Sequence, residues 1–77
     1  MRDYRLEVCF KETDGSFCTL SVHQFRSLDT REARTAADIW LAGMKSSLET
    51  ASHVLLFVGS SAVCRRPIDR RVWETLA

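Results

Sequence analysis

HVLLFVGSSAVCRRPIDRRVW, residues 53–73, decides how this chain is read. After His53 the run is apolar on both alternating faces, so neither side of an extended segment is reserved for water. That pattern predicts a central strand covered on at least part of both sides. Gly59-Ser60-Ser61 then gives a turn, and Ala62 to Arg65 a short further strand. Pro67 places that strand at a sheet edge, because a residue without an N–H cannot serve a central ladder. From Pro67 onward Ile68, Val72 and Leu76, with Trp73 beside them, recur at helical spacing. This predicts a short closing helix with Pro in its first turn.

Upstream, Tyr4, Leu6, Val8 and Phe10 alternate with Arg5, Glu7, Cys9 and Lys11, the period of a half-buried strand. A second alternating run holds Cys18, Leu20 and Val22, and Asp14-Gly15 marks a hairpin between the two. Parity selects the hairpin type. A two-residue loop would set Phe10 opposite Thr19 and mix the faces. A loop of Thr13-Asp14-Gly15 with a left-handed Gly15 pairs Phe10 with Cys18, Val8 with Leu20 and Leu6 with Val22. SLDTREARTAADIWLAGMKSSLETA, residues 27–51, reads as a long amphipathic helix. Asp29 and Glu32 form its capping box, with Leu28 as the staple residue. Ala33, Ala36, Ala37, Trp40, Leu41, Met44 and Leu48 make the core stripe, with Arg31, Thr35, Asp38, Lys45 and Glu49 on the far side. Gly43 falls inside this helix, where it is less favourable than Ala by about 1 kcal/mol.

The expected fold is a single compact α+β domain over residues 1–77, of order ββαββα. Its antiparallel four-stranded sheet has order 2-1-3-4, with one long helix and a short C-terminal helix on one face. Composition agrees, with 45% apolar and 27% charged residues, three Gly and one Pro, as in a folded domain rather than a disordered tail. MRDYRLEV at the start interleaves charges before any apolar run, and Val54–Val58 is too short to span a bilayer. A cytoplasmic protein is expected. Cys9, Cys18 and Cys64 are odd in number and lack paired spacing, which fits reduced thiols.

The net charge of +1 argues against a general nucleic-acid binder. The charge is nevertheless uneven, since residues 62–77 hold four arginines against Asp69 and Glu74. Arg65 and Arg66 precede the expected closing helix and Arg70 and Arg71 sit in its first turns. Cations there oppose the helix dipole, at about 0.3–1 kcal/mol each. Their functional reading is an anion-directed surface of guanidinium forks. Their bland reading is a solvated face partly neutralised by Asp69.

A second candidate surface is the sheet face turned away from the long helix. Arg5, Cys9, Lys11, Phe17, Thr19, His23 and Phe25, with either Leu55 or Phe57, would share it. Aromatics among cations can stack on single-stranded nucleic acid, but the near-neutral charge favours protein contact. Metal spacing is absent among Cys9, Cys18, Cys64, His23 and His53, and no cofactor is implied. Cys64, followed by two arginines, is the candidate nucleophile, with His53 as its candidate base across a hairpin.

The Asp-Gly hairpin, the Ala-rich helix, and VLLFVGSSAV running into Pro67 and a short final helix together resemble the small anti-CRISPR proteins of phages and mobile elements. The similarity is to those directed at type I surveillance complexes. The resemblance implies a non-enzymatic inhibitor that sterically blocks a subunit of an RNA-guided complex in a bacterial host. Many such inhibitors are acidic mimics of DNA, and the arginines of this chain depart from that pattern. The expected partner-binding residues are Arg65, Arg66, Arg70, Arg71, Phe17 and His23, directed at an acidic protein surface or at the complex's nucleic acid. The alternative is a small nucleic-acid-binding module using the basic C-terminal patch.

Overall fold

The computed structural model describes residues 1–44 and 50–76. The elements run β1 (Arg2–Lys11), β2 (Phe17–Ser27), α1 (Thr30–Ala42), β3 (His53–Val58), β4 (Ser61–Pro67) and β5 (Glu74–Thr75). They build one antiparallel sheet of order β2-β1-β3-β4-β5, with the expected 2-1-3-4 arrangement extended by a fifth strand. The core lies between α1 and one face of the sheet. Tyr4, Leu6 and Val8 of β1, Val54 and Leu56 of β3 and Cys64 of β4 meet Ala33, Ala37 and Leu41 of the helix. Each large aliphatic side chain buried there contributes about 1.5–3 kcal/mol.

The first hairpin has the expected three-residue loop. Gly15 has φ +91°, its N–H donates to the Glu12 carbonyl at 3.0 Å, and the Glu12 N–H donates to the Ser16 carbonyl at 2.8 Å. Phe10 pairs with Cys18 as parity requires. Beyond that point the expected register is wrong. Leu20 is extruded as a β-bulge, so Val8 lies opposite Ser21 and Leu6 opposite His23 rather than Val22. A one-residue slip exchanges the faces of every later side chain. His23 and Phe25 therefore turn towards the helix, while Leu20 and Val22 are 48% and 50% exposed. The exchange places large flat rings where they stack: Phe25 on Tyr4 at 5.9 Å between centroids, and His23 on Trp40 at 4.6 Å.

The helix is shorter than its periodicity suggested. Asp29 caps it, accepting from the Glu32 N–H at 2.8 Å. At the other end Gly43 is the C-cap rather than an interior residue. Ala36 is exposed and Leu28 is 61% exposed, so neither belongs to the core stripe or a staple. Leu48, Lys45 and Glu49 lie outside the described residues.

The C-terminal helix does not form. β4 runs through to Pro67, residues 68–70 turn, and the chain returns antiparallel along β4 as β5. A helix here would begin with two arginines against its dipole. Tertiary contacts reward the extended return instead. The Leu76 N–H donates to the Val63 carbonyl at 2.9 Å, and the Trp73 indole N–H donates to Asp38 Oδ1 at 3.1 Å. The same Asp38 oxygen accepts from Arg66 Nη1 at 2.6 Å. The other guanidinium nitrogens of Arg66 donate to the Pro67 and Ile68 carbonyls. Asp38 thus ties helix, β4 and the C-terminal return together, although its sequence position marked it only as a solvent-side residue.

Asp38→Ala leaves Arg66 charged, buried and unpaired, and strands the Trp73 N–H. Urea titration should show a loss of about 3–5 kcal/mol. Asp69→Ala, at an exposed position of the same turn, should stay within about 0.5 kcal/mol of wild type.

Candidate functional site

The only helix among the described residues lies on one side of the sheet, leaving the other side without a covering layer. Alternation along each strand fixes who stands there. β1 supplies Arg5, Glu7, Cys9 and Lys11, and β2 supplies Phe17, Thr19, Val22, Gln24 and Arg26. β3 supplies His53, Leu55 and Phe57, opposite Pro67, Arg65 and Ala62 of β4, and Glu74 of β5 lies opposite Arg65. A second bulge, at Val63, brings Ala62 rather than Val63 to this face.

The face is an apolar strip bordered by ion pairs. Phe17, Leu55, Phe57 and His53 are half-buried by one another and by neighbouring side chains. The Phe17 ring meets the His53 imidazole edge-on at 5.5 Å, and the Arg5 guanidinium lies 4.3 Å from the Phe57 ring centroid. Arg5 also pairs with Glu7 at 2.7 Å, and Glu7 accepts from the Thr19 hydroxyl at 2.9 Å. Arg65 pairs with Glu74 at 2.8 Å, and Arg26 approaches Asp3 at 3.4 Å. Each arginine on this face therefore already has a carboxylate of its own. Burial, with Arg65 and Lys11 nearby, holds the His53 imidazole below its ordinary value.

The residues expected to bind a partner scatter. Phe17 and Arg65 reach the uncovered face. His23 does not, because the Leu20 bulge turns it under the helix against Trp40. Arg66 does not either, being 5% exposed and committed to Asp38. Arg70 and Arg71 are exposed in the turn after β4, with no carboxylate within ion-pair distance among the described residues. Arg70 borders a hollow of about 230 Å³ with His53, Arg65, Pro67 and Glu74, at the margin of the uncovered face. Arg71 lines a recess on the other side with Thr35, Asp38, Ile39 and Ala42 of the helix. Arg66, Arg70 and Arg71 also line one hollow together, with Asp38, Leu41 and Ile68, while Arg65 lies apart on the uncovered face. Leu55, Phe57 and the Arg5–Phe57 stack were only partly legible, since sequence left open which of Leu55 and Phe57 faced outward; both do, as alternate residues of one strand.

The nucleophile reading fails on geometry. Cys64 lies on the helix side of β4 and His53 on the opposite side of β3, so the sheet separates them. Burial pushes the Cys64 thiol up, and the nearby Arg34 only partly offsets this. Cys9 is buried too, its thiol raised by burial and by Glu7. No group of three or more His, Cys, Asp and Glu side chains among the described residues could hold a metal ion. Among the described residues no helix is long and apolar enough to cross a membrane.

These surroundings predict the reactivity of the three thiols. In native buffer a thiol reagent should label Cys18, which is exposed, and leave Cys9 and Cys64 until the protein is denatured. Mass spectrometry of the native and denatured reactions checks this.

Compared with protein-family models, with curated proteins and with solved structures, the chain matches none.

Proposed function

We propose that this domain is a non-enzymatic binding protein that blocks a macromolecular partner by seating the uncovered face of its sheet on it. The observation that carries this reading is the apolar strip of Phe17, Leu55 and Phe57 on a face with no covering layer. A monomer gains nothing by presenting three large apolar side chains together, whereas an interface uses such a strip as its dry centre. Arg5–Glu7 and Arg65–Glu74 form its polar rim.

The charge arrangement favours protein over nucleic acid. Phosphate binding draws on cations free to replace counterions, and Arg5 and Arg65 beside the apolar strip are already paired with carboxylates. Arg70, exposed at the margin and without an ion-pair partner among the described residues, supplies a local positive contact that suits an acidic protein surface. The partner class we propose is a subunit of a type I CRISPR surveillance complex in the cytoplasm of a bacterial host. Its support is the similarity in size and in the ββαββ order to small anti-CRISPR proteins. The closing helix, once part of that similarity, is replaced by β5. Steric occlusion is the mechanism, and it requires no cofactor.

The experiment is equilibrium binding to purified, guide-loaded type I complexes, together with their capture of target DNA. The domain should bind and inhibit. Phe57→Glu and Arg70→Glu should each weaken binding at least tenfold, about 1.4 kcal/mol, while Arg31→Glu on the outer helix face should not. Absence of binding to every complex tested rejects the partner class. Equal binding by both variants rejects the surface. Affinity for bare DNA or RNA that falls steeply with salt would install the nucleic-acid reading instead.

A further inference from the structure

The other unfilled feature is an edge rather than a face. β2 is the outermost strand on its side, and among the described residues no strand pairs with its free edge over Phe17–Ser27. Natural sheets usually block such an edge with Lys, Pro, inward charges or a short strand. Here the strand has eleven residues, contains neither Lys nor Pro, and carries one formal charge, Arg26, close to its end. Its two most exposed large apolar side chains are Leu20 and Val22, near the middle. The bulge at Leu20 is the single interruption.

We infer that this edge is the interface of a homodimer in which β2 pairs antiparallel with β2 of a second copy. Two observations select another copy of this chain as the occupant. The first is charge. The start of β2 follows the hairpin tip with Glu12 and Asp14, and its end carries Arg26. Antiparallel pairing about a two-fold axis sets the basic end of each copy against the acidic tip of the other, and does so twice. Arg26 is available for this, since its 3.4 Å contact with Asp3 is made by side chains that are 68% and 89% exposed.

The second is register. Phe17 and Thr19 share the uncovered face with Val22 and Gln24, while Cys18 shares the helix side with His23. An axis between Leu20 and Ser21 then keeps both sides consistent over the pairs on either side of the bulge. It sets Val22 opposite the partner's Thr19, His23 opposite the partner's Cys18 and Gln24 opposite the partner's Phe17. Arg26 falls opposite the partner's Gly15, next to Asp14. The two bulges meet at the axis, so the feature that would frustrate pairing with an unrelated straight strand is matched by its own copy. The dimer is a continuous sheet of twice the strands, with both uncovered faces on one side.

Sedimentation equilibrium over a dilution series tests this. The wild-type chain should approach twice the 8.8 kDa of one copy as concentration rises. Val22→Lys, at an exposed position, should remain a monomer with an unchanged circular dichroism spectrum. Arg26→Glu should weaken the dimer, and Asp14→Arg added to it should restore association. Phe57→Glu should leave the dimer intact, which separates this edge from the partner-binding face. A wild-type chain that stays at one copy throughout overturns the inference. So does a dimer that survives Val22→Lys or that Phe57→Glu dissolves, because the copies would then meet elsewhere.

Discussion

A helix about 10 Å across covers roughly two strand spacings of about 4.8 Å each, and this sheet has five strands for one described helix. That shortage of cover shapes the molecule. The deepest burial falls on the two central strands, β1 and β3, whose Leu6, Val8, Val54 and Leu56 lie directly beneath α1. The flanking strands must bend to contribute. Each does so through a bulge, at Leu20 in β2 and at Val63 in β4, which re-aims side chains and increases the local twist. The opposite face receives no layer from the described residues, and the strip of Phe17, Leu55 and Phe57 stays half-buried there.

Asp38 closes the arrangement from the other end. A carboxylate that accepts from both Arg66 and Trp73 fastens the C-terminal return to the helix and removes one arginine from the surface. Burying Arg66 is tolerable because its Nε, Nη1 and Nη2 atoms all find acceptors. The same economy of charge runs across the uncovered face, where arginines and carboxylates neutralise one another in pairs. Among the four clustered arginines this leaves Arg70 and Arg71 exposed, with no carboxylate at ion-pair distance among the described residues. A basic run in sequence has become a structural residue, an ion-paired rim residue and two surface charges.

Most of the architecture was legible because it rests on local patterns. Alternation in β1, the continuous apolar run of β3, the Asp14-Gly15 loop and the Asp29 cap each depend on residues a few positions apart, and each element forms in the structure, although the described residues cover β3 with a layer on one face only. The errors have one common origin. The closing helix, the side of His23 and Phe25, and the exposure of Arg66 all depend on which distant group a side chain meets. Periodicity in Ile68, Val72 and Leu76 is compatible with a helix, but Trp73 reaching Asp38 and Leu76 bonding to Val63 favour an extended chain. The candidate site was partly legible for the same reason: Phe17 stands on the expected face, His23 and Arg66 are turned inward, and Arg65, read as part of the basic cluster, reaches the uncovered face instead.

By itself the sequence determined the ββαββ order, the pairing of β1 with β2 at its hairpin end, and the near balance of charge, since hydrogen-bond parity, turn chemistry and capping act over short spans. Only the tertiary structure decided the two bulges, the fifth strand and the partition of the arginines. A bulge exchanges faces through a single residue, and no local preference foretells it; the stacking of His23 on Trp40 and Phe25 on Tyr4, between residues far apart in the chain, sets where the slip occurs.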